Sequence, residues 1–228
     1  PARITATARM GENEIIDIED EVELGGAIHS KGMLILTSYL GAHYAKGYPI
    51  PINASVTFEQ SYGQVDGDSA SMGELCALLS AIANVPVKQS LAITGSVNQH
   101  GQVQVIGGIN EKIEGYFDVC VARGLNGEHG VIIPAFNVQH LMLRHDVVDA
   151  VKQGKFNIYI MHSVDDALEL LTGMPTGPRD EHDEYLEGTI NHAIESELKH
   201  LAEVKREFND GKDKHKEENE EHAEEQHE

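Results

Sequence analysis

The chain has 228 residues, with 17 Lys and Arg against 38 Asp and Glu, a formal net charge of −21. Such acidity repels phosphate backbones and anionic headgroups, which disfavours nucleic-acid and membrane-surface partners. With no apolar run of the roughly 18 residues a bilayer span needs and no basic-then-apolar leader, a soluble, cytoplasmic protein is expected, and a first residue of Pro1 fits a domain cut from a longer protein.

Along residues 3–24, Ile16, Ile18, Val22 and Leu24 are separated by acids, a spacing that predicts strands with one wet face. "GGAIHSKG" (25–32) breaks this pattern, and "MLILTSYLGAHYA" (33–45), apolar nearly all round, predicts a buried helix. "INASVTFEQ" (52–60) returns to strand spacing. Met72, Leu75, Cys76, Leu79, Ile82 and Ala83 then mark the core face of a helix that begins near Ala70, is capped by Asp68 or Ser69, and stops before Pro86.

"SLAITGSV", the turn "NQHG" and "QVQVIGG" (90–108) predict a hairpin. A second amphipathic helix follows over 109–124 with Gly124 as its stop, then short buried strands "GVIIP" and "FNIYIM", and a closing helix over 164–173. The interleaving argues one α/β domain over 1–175, large enough for a single core. Cys76 and Cys120 lie inside apolar helical patterns and read as buried thiols.

Beyond Pro175 the composition shifts. Residues 1–175 hold 10 basic against 20 acidic side chains, and 176–228 hold 7 against 18, so the last quarter carries half of the net charge. Residues 176–208 form an acidic extension in which Leu186, Ile190, Ile194, Leu198, Leu201, Val204 and Phe208 predict a helix from about 184 to 208. Residues 209–228, with Ala223 as their only apolar side chain, are expected to be disordered.

The chemistry concentrates in "DGDSAS" (66–71). A serine at a helix N-terminus sits beside unpaired N–H groups and the positive end of the dipole, which suit a developing oxyanion. A serine hydroxyl needs a base. Six of the thirteen histidines lie in the acidic tail, the others form no recognisable Ser/His/Asp arrangement, and "GDSAS" lacks the second glycine of the G-x-S-x-G elbow.

Lysine is the alternative base, and residues 1–175 hold six: Lys31, Lys46, Lys88, Lys112, Lys152 and Lys155. On a helical wheel Ile109, Ile113, Tyr116, Phe117 and Cys120 share one arc, and Lys112 falls at its edge with a partly buried stem. Lys112 also lies in the first turn after Gly107-Gly108, where the helix dipole disfavours a cation. Burial and dipole both lower its pKa. Acting as a base near neutrality means reaching about 7 to 8, roughly 3 to 5 kcal/mol of differential stabilisation. Asp66, Asp68 and Glu111 would oppose that shift if they faced the amine.

"DGDSASMGELCALLSAIANVPV", "LAITGSVNQHGQVQVIGGINEKIEG" and "GVIIP" together resemble the proteolytic domain of Lon proteases, in the LonB-like branch with G-D-S-A-S at the nucleophile. The resemblance extends through "EIIDIEDEVELGGAIHSKGMLILTSYLGAHYA" and covers nearly all of residues 1–175. It implies the family's α/β fold, ribosomal protein S5 domain 2-like, with mixed sheets and packed helices. It places a Ser-Lys dyad on Ser69 and Lys112, gives Thr94 a supporting position beside the lysine, and matches Asp66 and Asp68 to acidic positions flanking the nucleophile. Ser71 reads as a structural first-turn serine and Lys31 as a surface loop lysine.

The resemblance further implies a serine endopeptidase acting on protein or peptide substrates without a cofactor in this chain, ATP and Mg belonging to an AAA+ ATPase domain preceding Pro1. The intact protein is expected to be a hexameric ring, and the acidic extension stands outside the family's shared pattern. Two rivals remain: a noncatalytic ring-assembly or substrate-docking module, which needs neither Ser69 nor Lys112, and a nucleic-acid-binding domain, which the acidity disfavours.

Overall fold

The computed structural model describes residues 1–224, with side chains through Asp210. Strand β1 (Arg3–Met10) and strand β2 (Glu14–Asp17) lie in the predicted alternating region, but the region ends in a one-turn helix, α1 (Ile18–Glu21), whose first amide, on Glu19, is capped by the Asp17 carboxylate. Helix α2 (Ala27–Tyr44) starts six residues before the predicted position and absorbs most of "GGAIHSKG", including Lys31, which is exposed on a helix and not in a loop. Two glycines explain the difference. Gly26 is the N-cap, whereas Gly32 lies inside α2, where an added Cβ would sit 3.5 Å from the Cβ atoms of Asp68 and Ser71. Those are ordinary van der Waals distances, so Gly32 is carried as an interior helical residue although it reads in sequence as a break.

Strand β3 (Ile52–Glu59) pairs antiparallel with β1 and parallel with β2, making a sheet of order β1-β3-β2. Helix α3 (Ser71–Ala83) follows, stopped by Asn84 in the left-handed region. Its N-cap is Ala70, without a side-chain cap, so neither Asp68 nor Ser69 caps the helix. Those two side chains are engaged elsewhere, as described below.

Next come β4 (Leu91–Ile93), β5 (Ser96–Val97), β6 (Val103–Gln104), α4 (Ile109–Arg123) and β7 (Gly130–Pro134). A six-residue 3-10 turn (Ala135–His140) leads to α5 (His145–Lys152), then β8 (Asn157–Met161) and α6 (Val164–Thr172). The predicted hairpin shrinks to β5 and β6, because residues 91–93 join a parallel sheet of order β4-β7-β8. The 3-10 turn and α5 are too short for periodicity to announce them.

That parallel sheet divides two apolar cores. On one side Met72, Leu75 and Leu79 of α3 pack with Leu36 and Leu40 of α2, Leu168 of α6 and Ile132 of β7. On the other, Ile109, Ile113 and Phe117 of α4 pack with Val131 and Ile133 of β7, Val147 and Phe156. The period of two along β7 sends alternate side chains to opposite cores. Both cysteines are buried and free.

Helix α7 (Ile190–Glu224) belongs to the first core: Ile190, Ile194 and Leu198 are fully buried against it. The helix starts at 190 and not near 184, since residues 177–189 form a strap whose Leu186 is exposed. The strap is tied to α2: Tyr185 Oη lies 2.6 Å from His43 Nε2, Arg179 donates to the His43 carbonyl at 3.0 Å, and Tyr44 donates to Asn191 Oδ1 of α7 at 2.6 Å. Over 209–224, where disorder was expected, the backbone is helical, in keeping with a run of strong helix formers such as Glu and Lys; 225–228 lie outside the described residues. Among the described residues no helix is long and apolar enough to cross a membrane.

Candidate active site

Residues 65–71 form a loop fastened at both ends. The Val65 amide donates to the Leu24 carbonyl at 2.9 Å, and the Gly26 amide donates to the Val65 carbonyl at 2.8 Å. Gly67 turns the chain with φ +101°, a conformation that favours glycine, and its amide donates to Asp66 Oδ1 at 2.9 Å. Asp66 is exposed, its side chain against Gly26, and among the described residues it makes no hydrogen bond to the serine and no ion pair with the lysine.

Ser69 is held from the far side by the β4–β5 turn. Its carbonyl accepts from the Gly95 amide at 2.8 Å and from Thr94 Oγ1 at 3.2 Å. Thr94 is anchored in turn, its amide donating to the Ile132 carbonyl of β7 at 3.1 Å. Asp68 is fixed next door, accepting from buried Ser96 Oγ at 2.8 Å. Ser71 is almost fully buried and accepts the Val97 amide at 3.2 Å, a structural role as its first-turn position implied.

Lys112 comes from the other core. Gly108, at φ +67°, begins α4, and the Lys112 amide closes the first turn onto the Gly108 carbonyl. Its Nζ reaches Ser69 Oγ at 2.8 Å and Thr94 Oγ1 at 3.4 Å. The residue as a whole is exposed, yet its pKa is lowered from 10.5, chiefly by desolvation, with the Asp68 carboxylate pulling it back up. Of the three acids named as opponents, Asp68 is the one whose charge is felt.

Ser69, Lys112, Thr94 and Asp68 are thus brought together, and Asp66 stands one step outside. The sequence did not reveal Ser96, Gly95 and Ile132 as supports of Thr94 and Asp68, since a buried serine and a turn glycine carry no distinctive signal. Near the serine, the amides of Ser71 and Met72 are taken by the carbonyls of Asp68 and Gly95, whereas no backbone bond among the described residues engages those of Ser69 and Ala70. A hydroxyl, an adjacent amine of lowered basicity and amides that no backbone bond among the described residues engages are the kinds of group that acyl transfer needs.

A second cluster merits mention because Asp17, Asp20 and His29 offer ligand-type atoms within 4.8 Å of one another. His29 Nε2 and Asp17 Oδ2 are 2.7 Å apart. Two ligands on one Zn²⁺ with bonds of about 2.0–2.2 Å at tetrahedral angles stand roughly 3.3 Å apart. At 2.7 Å the pair is closer together than two ligands of one such ion.

A family model described as the Lon protease (S16) C-terminal proteolytic domain matches residues 59–173. A Lon protease homolog of Escherichia coli strain K12 is 55% identical over 174 residues, covering 76% of this chain and 30% of that protein. One from Haemophilus influenzae is 44% identical over 208 residues, covering 90% and 34%. An archaeal Lon protease of Thermococcus kodakarensis is 33% identical over 199 residues, covering 81% and 29%. The chain therefore spans about a third of the length of these relatives. The H. influenzae alignment is longer than residues 1–175, so likeness reaches into the strap and α7.

Proposed function

Because this chain belongs to the Lon protease (S16) C-terminal proteolytic-domain family, we propose that it is a serine endopeptidase domain in which Ser69 is the nucleophile and Lys112 its base. The observation that carries the reading is the 2.8 Å approach of Lys112 Nζ to Ser69 Oγ, made by residues 43 positions apart on two different elements. Neutral Lys112 takes the Ser69 proton as Oγ adds to the scissile carbonyl. The amides of Ser69 and Ala70, which no backbone bond among the described residues engages, are the donors this reading assigns to the resulting oxyanion. Lys112, now an ammonium, gives its proton to the leaving amine, and the acyl-enzyme is hydrolysed by water that Lys112 deprotonates in the reverse sense.

Thr94 has a double grip in this scheme. Its hydroxyl donates to the Ser69 carbonyl and accepts from Lys112, which fixes the amine relative to the nucleophile's own backbone. Asp68, tied to Ser96, raises the lysine pKa and so sets the pH at which the base is available. This chemistry runs on side chains and amides alone and calls for no cofactor in the domain.

For the whole protein, given relatives about three times as long as this chain, we take the same family reading: an AAA+ ATPase portion using ATP and Mg, a hexameric ring, a cytoplasmic setting and unfolded proteins as substrates. The test is cleavage of fluorogenic peptides and casein by wild type, Ser69→Ala and Lys112→Ala, with circular dichroism and sizing-column mass alongside. Loss of about 10³-fold or more in both variants with the fold intact supports the dyad. Unchanged activity in Ser69→Ala would overturn it. A wild type inert even when joined to its ATPase portion would favour the noncatalytic assembly module.

A further inference from the structure

Against the nucleophile loop lies a buried charge cluster that the dyad does not use. Asp17 at the end of β2, Glu19 and Asp20 of α1, His29 of α2 and Glu74 in the first turn of α3 converge there. Asp17, Glu19, His29 and Glu74 are 6%, 3%, 1% and 1% exposed, and Asp20 is half-buried. The His29 ring is flanked by carboxylates, Nε2 at 2.7 Å from Asp17 Oδ2 and Nδ1 at 3.6 Å from Glu74 Oε1.

The carboxylates are not equally provided for. Asp17 Oδ1 accepts from the Glu19 amide, Glu19 Oε1 from the Phe58 amide and the Thr57 hydroxyl, and Asp20 Oδ1 from Ser30 Oγ. Glu74 Oε1 has no hydrogen-bond donor among the described residues, and neither have Asp17 Oδ2 and Glu19 Oε2, but Asp17 and Glu19 are each met at their other oxygen. Four ionised carboxylates around one imidazolium would leave a surplus of negative charge out of reach of water. The least costly relief is a proton on the carboxylate that lacks a donor.

The cluster is mechanically joined to the nucleophile. The Glu74 amide donates to the Ala70 carbonyl, directly after Ser69. Gly32, one turn along α2 from His29, packs against Asp68 and Ser71, and residues 24–26 hold Val65 at the other end of the loop. We propose that Glu74 is a positioning residue for Ser69, held against the Asp17–His29 pair by its own proton, so that alignment of the loop on Lys112 weakens at alkaline pH through a titration separate from that of Lys112. The proposal builds on the peptidase reading above.

Direction and sign agree with this. Burial pushes the Glu74 carboxyl up to about 7 and Asp17, Glu19 and Asp20 push the same way, while His29 pulls it down. His29 is raised, first by its hydrogen bond to Asp17 and also by the charges of Glu74 and Asp20, against the pull of burial. Both folded-state pKa values lie above the unfolded ones, so both contributions to stability are complete at low pH. The Glu74 part is lost as pH climbs from the ordinary carboxyl value of 4.5 through about 7, and the His29 part from 6.5 through its raised value.

The experiment compares wild type with Glu74→Gln, which keeps the volume and makes the neutral form permanent. Thermal midpoints and kcat and KM for a fluorogenic peptide are read from pH 5 to 9. The wild-type midpoint should fall between pH 5 and 8 and that of Glu74→Gln distinctly less. Above pH 8 the variant should keep a several-fold larger share of its maximal kcat, with KM little changed and the rising limb set by Lys112 in place. Superimposable midpoint curves, or identical alkaline limbs, overturn the proposal. Should Glu74→Gln fail to fold, the carboxyl carbon chemical shift of Glu74 in wild type decides: a protonated carboxyl at pH 6 supports the proposal, and an ionised one at pH 6 refutes it. Midpoints and carboxyl shifts require no peptidase activity, so a failure here is distinct from a failure of the dyad.

Discussion

At Lys112, two influences on one amine pull in opposite directions: desolvation lowers its pKa and the Asp68 carboxylate raises it. A base must be neutral, so activity should climb with pH as the ammonium loses its proton. Asp68→Asn removes the opposing charge while leaving an acceptor for Ser96. The rising limb of kcat/KM should therefore move to lower pH, and a limb that stays in place would mean that the charge is not felt at the amine. Thr94→Val deletes a hydroxyl that meets both Lys112 and the Ser69 carbonyl. One such bond is worth about 1 to 1.5 kcal/mol, so kcat should drop roughly tenfold in steady-state assays with little change in KM. At this scale the resemblance of two extended motifs singled out Ser69 and Lys112, since a serine ahead of a helix and a lysine at the edge of an apolar arc each have a common structural explanation. The sequence carried the cap badly: Asp and Ser are the commonest caps, but here Ser96 occupies one and Lys112 the other, leaving Ala70 at the helix start.

Among the elements, α7 is the one whose importance the sequence understated. Its period of buried residues was visible, but nothing in a helical repeat says which surface receives it. Leu198 is fully buried in the first core, and Leu198→Ala should cost about 2 to 5 kcal/mol in denaturant melts. A change under 1 kcal/mol would mean that α7 is only loosely seated. The same reasoning predicts that a chain ending at Pro175 will fail to give a cooperative melt, since it uncovers Tyr44 and the face that receives Ile190 and Ile194. Long periodic helices and strands bounded by turn residues were legible throughout. The start of α2 was not, because its glycines read alike as breaks while Gly26 alone is the N-cap and Gly32 lies inside the helix.

For the molecule as a whole, the charge of −21 predicts no RNA retention in a shift assay at physiological salt, and a salt-dependent complex would contradict that. Ser69 is rooted in the core around α3 and Lys112 in the core around α4, and β7 feeds side chains to both. The 2.8 Å gap is therefore a measure of how two separately packed bodies are seated on one sheet. An evolving lineage could adjust turnover by repacking Phe117 or Phe156, touching no residue that meets the substrate. Rate modifiers collected by random mutagenesis should accordingly be scattered through the interior and not gathered at the site. The proposed dyad could stay fixed while turnover drifts, much as an instrument is recalibrated from its frame and not from its pointer.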